Sequence, residues 1–145
     1  MAMLCADEYP DLDIDKVIKM CLIHDFGEAI TGDVPAFWKN AEHEKDEEKA
    51  IETLISSLPS AIKEEMVSLF SEMKSMNTEE AKLYKSLDNI EAVLSHNEAD
   101  ISTWISREYQ DNLTYGAENC DWSVWIKNLR DEVKQDSIRK INEKK

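Results

Sequence analysis

Residues 21–37 read "CLIHDFGEAITGDVPAF". An apolar run at helical spacing ends here in His24-Asp25, then Glu28, then Gly32-Asp33. Two of the chain's 3 glycines fall inside the stretch. Upstream, Ile14, Val17, Ile18, Cys21 and Leu22 recur at the helical period, so residues 11–26 are expected to form one helix, capped by Asp13 or Asp15. Gly27 or Gly32 marks its end region. The following "TGDVPAFWKN" is expected to be a loop, turned by Gly32 and fixed by Pro35.

The rest of the chain repeats the helical pattern. "MAMLCADEY" reads as the last two turns of a helix halted by Pro10. "EHEKDEEKAIETLISSL" begins as a solvated acidic helix and becomes amphipathic through Ile51, Leu54, Ile55 and Leu58. Pro59 ends it, and Ser60 opens a helix with Ile62, Met66, Leu69, Phe70 and Met73 on one face. The next helix carries Leu83, Leu87, Ile90 and Leu94; of two possible caps, Asn77 with Glu80 fits the capping-box spacing better than Thr78 with Ala81. The helical signal continues through "DISTWISREYQDNL", breaks at Gly116, and resumes in "CDWSVWIKNLRDEVKQDSIRKI". With only 3 glycines and 3 prolines, turn-rich β architectures lack their punctuation. The expectation is an all-α chain of six or seven helices, forming one domain over residues 1–140, with 141–145 frayed.

A formal charge of −14 argues against binding the nucleic-acid backbone or an anionic membrane surface, both of which need clustered lysine and arginine. It leaves room for a small anionic substrate, because a bound cation can dominate a site locally. Cys5, Cys21 and Cys120 are scattered and form no CxxC pair, and Cys21 is expected in the core. No segment is long and apolar enough to cross a membrane, and the N-terminus has no signal-peptide pattern. A cytoplasmic location with reduced thiols is expected.

The chemistry-bearing residues admit two readings. Asp25 falls beside the apolar stripe, where an unpaired carboxylate is costly. Either a metal ion offsets that cost, or His24 and Asp25 form a backbone-bonded, partly wet pair at a helix end. Glu28 lies four residues after His24, so both line one face if the helix persists. A carboxylate beside a metal-bound water is the usual way to polarise it. Gly32 permits a turn that aims Asp33 back at the same place, unless Asp33 merely caps the next segment. His43 reads as a solvated side chain. His96, eight residues after Asp88, is about 12 Å along a straight helix and too far to share an ion with it. Phe37 and Trp38 can stack on a base and Lys39 can meet a phosphate, or the aromatics anchor the loop.

The run His24-Asp25-Phe26-Gly27-Glu28-Ala29-Ile30-Thr31-Gly32-Asp33 resembles the signature of HD-domain metal-dependent phosphohydrolases. It is most similar to the 5′-deoxynucleotidase-like subgroup, with its His-Asp-x-x-Glu-x-x-x-Gly-Asp pattern. "KSLDNIEAVL" looks like that family's later Asp-bearing helix, and the resemblance covers roughly Met1 to Ala99. It implies a compact helical bundle of the HD-domain type, often dimeric. It also implies one divalent metal ion, from among Mn, Co, Fe, Ni, Zn and Mg, and release of phosphate from deoxynucleoside 5′-monophosphates. Carried over, His24, Asp25 and Asp88 are metal ligands, Glu28 orients or deprotonates the attacking water, and Asp33 is acid, base or substrate anchor. From spacing alone Asp88 is a surface residue beside buried Leu87. The family's first ligand, a histidine on the preceding helix, has no counterpart here, so the domain is expected to lack most of its first helix and to be weakly active. The alternatives are a non-catalytic HD-fold scaffold or nucleotide sensor with weak metal binding, and a nucleotide pyrophosphohydrolase.

Overall fold

The computed structural model describes residues 1–34 and 38–143. Pro35 and Phe37, expected to fix the loop and to stack on a base, lie outside the described residues, as do Lys144 and Lys145 of the expected frayed end. Seven α-helices are present among the described residues: α1 Ile14–Ile23, α2 Glu28–Thr31, α3 Ala41–Ser56, α4 Ser60–Ser75, α5 Glu79–Glu98, α6 Glu108–Thr114 and α7 Val124–Glu143. The same residues contain no strand. The all-α expectation holds, and no helix among them is long and apolar enough to cross a membrane.

Contacts divide the chain into two compact units, Met1–Ile18 with Met76–Lys145, and Lys19–Ser75. In the first, α5 is buried on most of its circumference: Ala81, Leu83, Tyr84, Leu87, Ile90 and Val93 are all sealed from solvent. That is a wider stripe than an amphipathic surface helix shows, and α7 packs along it with Ile126 and Val133 buried. Polar groups buried in α5 are used. The Ser86 hydroxyl has the carbonyls of Lys82 and Asn119 as alternative acceptors for its one proton and accepts from Trp122 Nε1. Asn89 Oδ1 accepts from Asn119 Nδ2 at 2.7 Å. Arg130 of α7 is 2 % exposed. Its guanidinium donates to the carbonyls of Asn112 and Tyr115 at the C-terminal end of α6. Those carbonyls have no partner inside a helix that stops there, and the cation also meets the negative end of the helix dipole. In the second unit, α3 and α4 form a helical hairpin with Ala50, Ile55, Leu69 and Met73 buried.

Local structure departs from the sequence reading at several points. The helix expected over residues 11–26 is α1, Ile14–Ile23, with Asp13 Oδ1 accepting the Lys16 N–H as its cap. Its buried residues are Val17 and Met20, while Leu22 is 77 % exposed, so the stripe lies further round than expected. Cys21 is only half-buried, whereas Cys5 and Cys120 are in the core. The N-terminal turns are a 3₁₀ segment, Ala2–Cys5, not α-helix. Thr78, not Asn77, caps α5, its side chain accepting the Ala81 N–H. Glu80 is then free to bind Lys16 at 3.1 Å. Helix does not continue through residues 100–113. Ala99 is extended, and Asp100 turns its side chain onto the Ser102 N–H, closing a 3₁₀ turn at Ile101–Thr103 before α6 begins. Aspartate competes for backbone N–H groups in this way.

Candidate functional site

The quoted stretch leaves α1 through a tightened turn. After the α-type bond from His24 N–H to Met20 O, the Phe26 N–H reaches Ile23 O and the Glu28 N–H reaches Asp25 O, both at 2.9 Å. These are three-residue bonds, and each residue of a 3₁₀ turn rotates the chain by roughly 120° in place of roughly 100°. Four residues in, this turns Glu28 away from the face it would share with His24 on an unbroken α-helix. The sequence reading had those two side chains stacked, and the tightening undoes that.

Glu28 instead opens α2, which lies on α3. Gly27 sets the approach. A Cβ there would stand 3.0 Å from the Glu47 carbonyl oxygen and 3.2 Å from Ile51 Cγ1. Gly27 was expected to end a helix, but its backbone is helical and its use is close packing. Gly32 ends α2 with φ 79°, as the sequence implied, and Asp33 follows it, exposed.

Lys39 joins the two helices. Its Nζ donates to Glu28 Oε1 at 3.1 Å and stands 2.9 Å from Glu47 Oε1. Glu47 Oε1 is sealed from solvent and forms an ion pair with Lys39. Burial pushes the Glu28 carboxyl above the usual range, and the nearby Asp25 charge adds to this while the Lys39 hydrogen bond works against it. For Lys39, burial alone would depress the ammonium, but Glu47 and Glu28 hold it above the ordinary lysine value. Sequence reasoning missed this bridge. The available signal was a lysine directly before an asparagine cap, with an acid one helical face along.

His24 and Asp25 are brought together. His24 Nδ1 is 2.9 Å from the Cys21 carbonyl, which can only accept, so Nδ1 carries the proton. Nε2 then faces Asp25 Oδ2 at 3.0 Å. A bare imidazole lone pair against a carboxylate is repulsive, so the contact needs a positive charge, either a second proton or a cation. A backbone carbonyl on the far nitrogen is also what orients metal-binding histidines. An imidazole nitrogen and a carboxylate oxygen suit divalent first-row ions, and in that sense this pair fits one. Among the described residues no group of three or more His, Cys, Asp and Glu side chains is gathered to hold a metal.

The other expected residues are placed as follows. Asp88 is on α5, half-buried, its Oδ2 2.8 Å from Lys85 Nζ. Trp38 is 69 % exposed. His43 is half-buried, with its Nδ1 sealed from solvent and without a hydrogen-bond partner. His96 serves structure, with Nδ1 2.7 Å from Asn112 Oδ1 and its ring beside Trp104.

The family described as HD domain matches residues 1–130, well past Ala99 where the motif resemblance ran out. Among characterised proteins the chain is similar to the 5′-deoxynucleotidase HDDC2 of Mus musculus, 36 % identical over 101 residues, covering 68 % of this chain and 49 % of that protein. It is 38 % identical over 96 residues to the Xenopus laevis protein of the same name, covering 65 % and 47 %. Similarity to the 5′-deoxynucleotidase hdd1 of Schizosaccharomyces pombe is 27 % over 151 aligned positions, covering 93 % and 71 %. The chain spans about half the length of the animal relatives it matches. No solved structure matches it. On the extent of the family match, this chain belongs to the HD-domain family.

Proposed function

We propose that the chain is a metal-dependent phosphomonoesterase acting on (deoxy)nucleoside 5′-monophosphates. Similarity to proteins named 5′-deoxynucleotidases supports the substrate class. The observation that carries the metal is His24, whose Nδ1 proton is committed to Cys21 O and whose Nε2 faces Asp25 Oδ2. In this reading His24 and Asp25 hold one divalent ion. When bound, such an ion polarises a phosphoryl oxygen and makes its water acidic.

The chain's own residues manage the rest. Glu28 accepts the proton of the attacking water, and burial, which raises its carboxyl above the usual range, makes it a stronger base. The water oxygen bonds to phosphorus as the P–O5′ bond breaks, and the leaving O5′ takes up a proton, releasing nucleoside and phosphate. Asp33, beyond the Gly32 turn, is the acid or the substrate anchor. Trp38 offers an exposed face to the base. Residues 1–140 work as one domain, in a cytoplasmic homodimer.

The test is phosphate release from a panel of deoxynucleoside monophosphates, with metal content measured on the same protein. Glu28→Gln is expected to lose hydrolysis and keep its metal. Pyrophosphate release from a nucleotide polyphosphate would favour the pyrophosphohydrolase alternative. Nucleotide binding without turnover would favour a sensor.

A further inference from the structure

We propose that Lys39 is a positioning residue for Glu28 and that Glu47 holds Lys39 in that role. The proposal rests on Glu28 being the base. The geometry refers all three residues to the start of α3. Asn40 caps that helix, its Oδ1 accepting the N–H groups of Glu42 and His43, which fixes the backbone next to Lys39. Glu47 is two turns further along the same helix. A Cβ on Gly27 would stand 3.0 Å from the Glu47 carbonyl, tighter than most such contacts, so glycine lets the backbone next to Glu28 lie close on α3. The ammonium lies between, 3.1 Å from one carboxylate and 2.9 Å from the other.

Each carboxylate sets a constraint. Glu47 Oε1 is sealed from solvent, and the ammonium 2.9 Å away is what offsets its burial. Moving Lys39 away would leave that oxygen without its cation. Held there, it donates to Glu28 Oε1 and occupies that oxygen. The other oxygen, Oε2, is left to accept the proton of water, in one orientation. Ordinarily a lysine beside a phosphatase site would be read as a phosphate contact. Here the ammonium is shared between two carboxylates, and its main effect falls on the base.

A positioning residue and a substrate contact separate in kinetics. Glu47→Gln, which keeps shape and removes the charge, is expected to lower kcat by about three- to tenfold with KM within about twofold. Lys39→Met is expected to lower kcat by about ten- to a hundredfold, and Lys39→Arg to recover part of that loss. In a Glu28→Gln background neither change should lower the residual rate further, because both act through Glu28. A raised KM with unchanged kcat, or a further loss in the Glu28→Gln background, overturns the proposal. If the wild-type chain turns over no nucleotide, the phosphohydrolase reading fails by itself. Urea midpoints of the single and double variants then decide the clamp: non-additive shifts support it and additive shifts overturn it. Glu47→Gln and Lys39→Arg keep the test open should Lys39→Met fail to fold.

Discussion

Replacing Gly116 with alanine tests the packing of α5 against the loop before α7. Gly116 has φ 67°, and a Cβ built there stands 2.3 Å from Asn89 Cβ and 2.6 Å from Asn89 Cγ. Asn89 Cβ is fixed to the backbone of a buried helix and cannot rotate out of the way. Holding alanine in the left-handed region costs about 1–2 kcal/mol, and overpacking a core typically costs about 1–3 kcal/mol more. The lower freedom of alanine in the unfolded chain returns about 0.4–1 kcal/mol. The net loss is about 2–4 kcal/mol, a large part of the roughly 5–15 kcal/mol that holds a domain together. Urea unfolding followed by tryptophan fluorescence measures it, since Trp104, Trp122 and Trp125 all lie in this unit. At an m-value near 2 kcal/mol/M the midpoint should fall by about 1–2 M. A loss under about 1 kcal/mol for Gly116→Ala alone would refute the clash.

Asn40→Ala should cost about 1 kcal/mol by removing the cap on α3, read as a lower melting temperature. Burial alone would raise Glu80, but its own backbone N–H, Lys16 and the Asp13 N–H together hold it below the ordinary glutamate value. A depressed carboxylate contributes stability above its unfolded pKa and loses it as pH falls through the folded one. Glu80→Gln should therefore be less stable by roughly 0.5–1 kcal/mol at neutral pH, with the gap closing on acidification in parallel urea titrations. Burial also pushes the Cys5 and Cys120 thiols up. Native-state alkylation mapped by mass spectrometry should modify Cys21 first, and the other two only on unfolding.

Helix content was legible because it depends on local pattern. Pro59 and Ser60 placed the junction of α3 and α4, and Gly32 marked the turn, although α2 before it was not expected. Leu83, Leu87 and Ile90 came out of the sequence as the buried line of α5. Less legible was whatever depends on a partner far along the chain. Leu22 fits the helical period as well as Met20 does, and only packing decides which is buried. Ser86, Asn89 and Arg130 are buried polar residues that no sequence pattern marks, because their burial depends on partners elsewhere in the chain. In the site, adjacency made His24 and Asp25 easy to name. The role of Gly27 depended on a carbonyl twenty residues away, and the tightened turn that carries Glu28 toward α3 leaves no mark in hydrophobic periodicity.

The guanidinium of Arg130 also bears on the order in which this unit can assemble. At seven residues, α6 is far shorter than a helix that persists alone in water. Its carbonyl end is closed by a side chain of α7, fifteen positions past the last carbonyl it binds. During synthesis α6 thus emerges before the group that completes it, and stays a fluctuating segment until α7 arrives. The dependence runs the other way too. A guanidinium does not shed its charge, so α7 cannot seat Arg130 in the interior until the α6 carbonyls are in place to receive it. The two helices are bound into one all-or-none step, and native-state hydrogen exchange should find their amides opening together; α6 opening alone would contradict this.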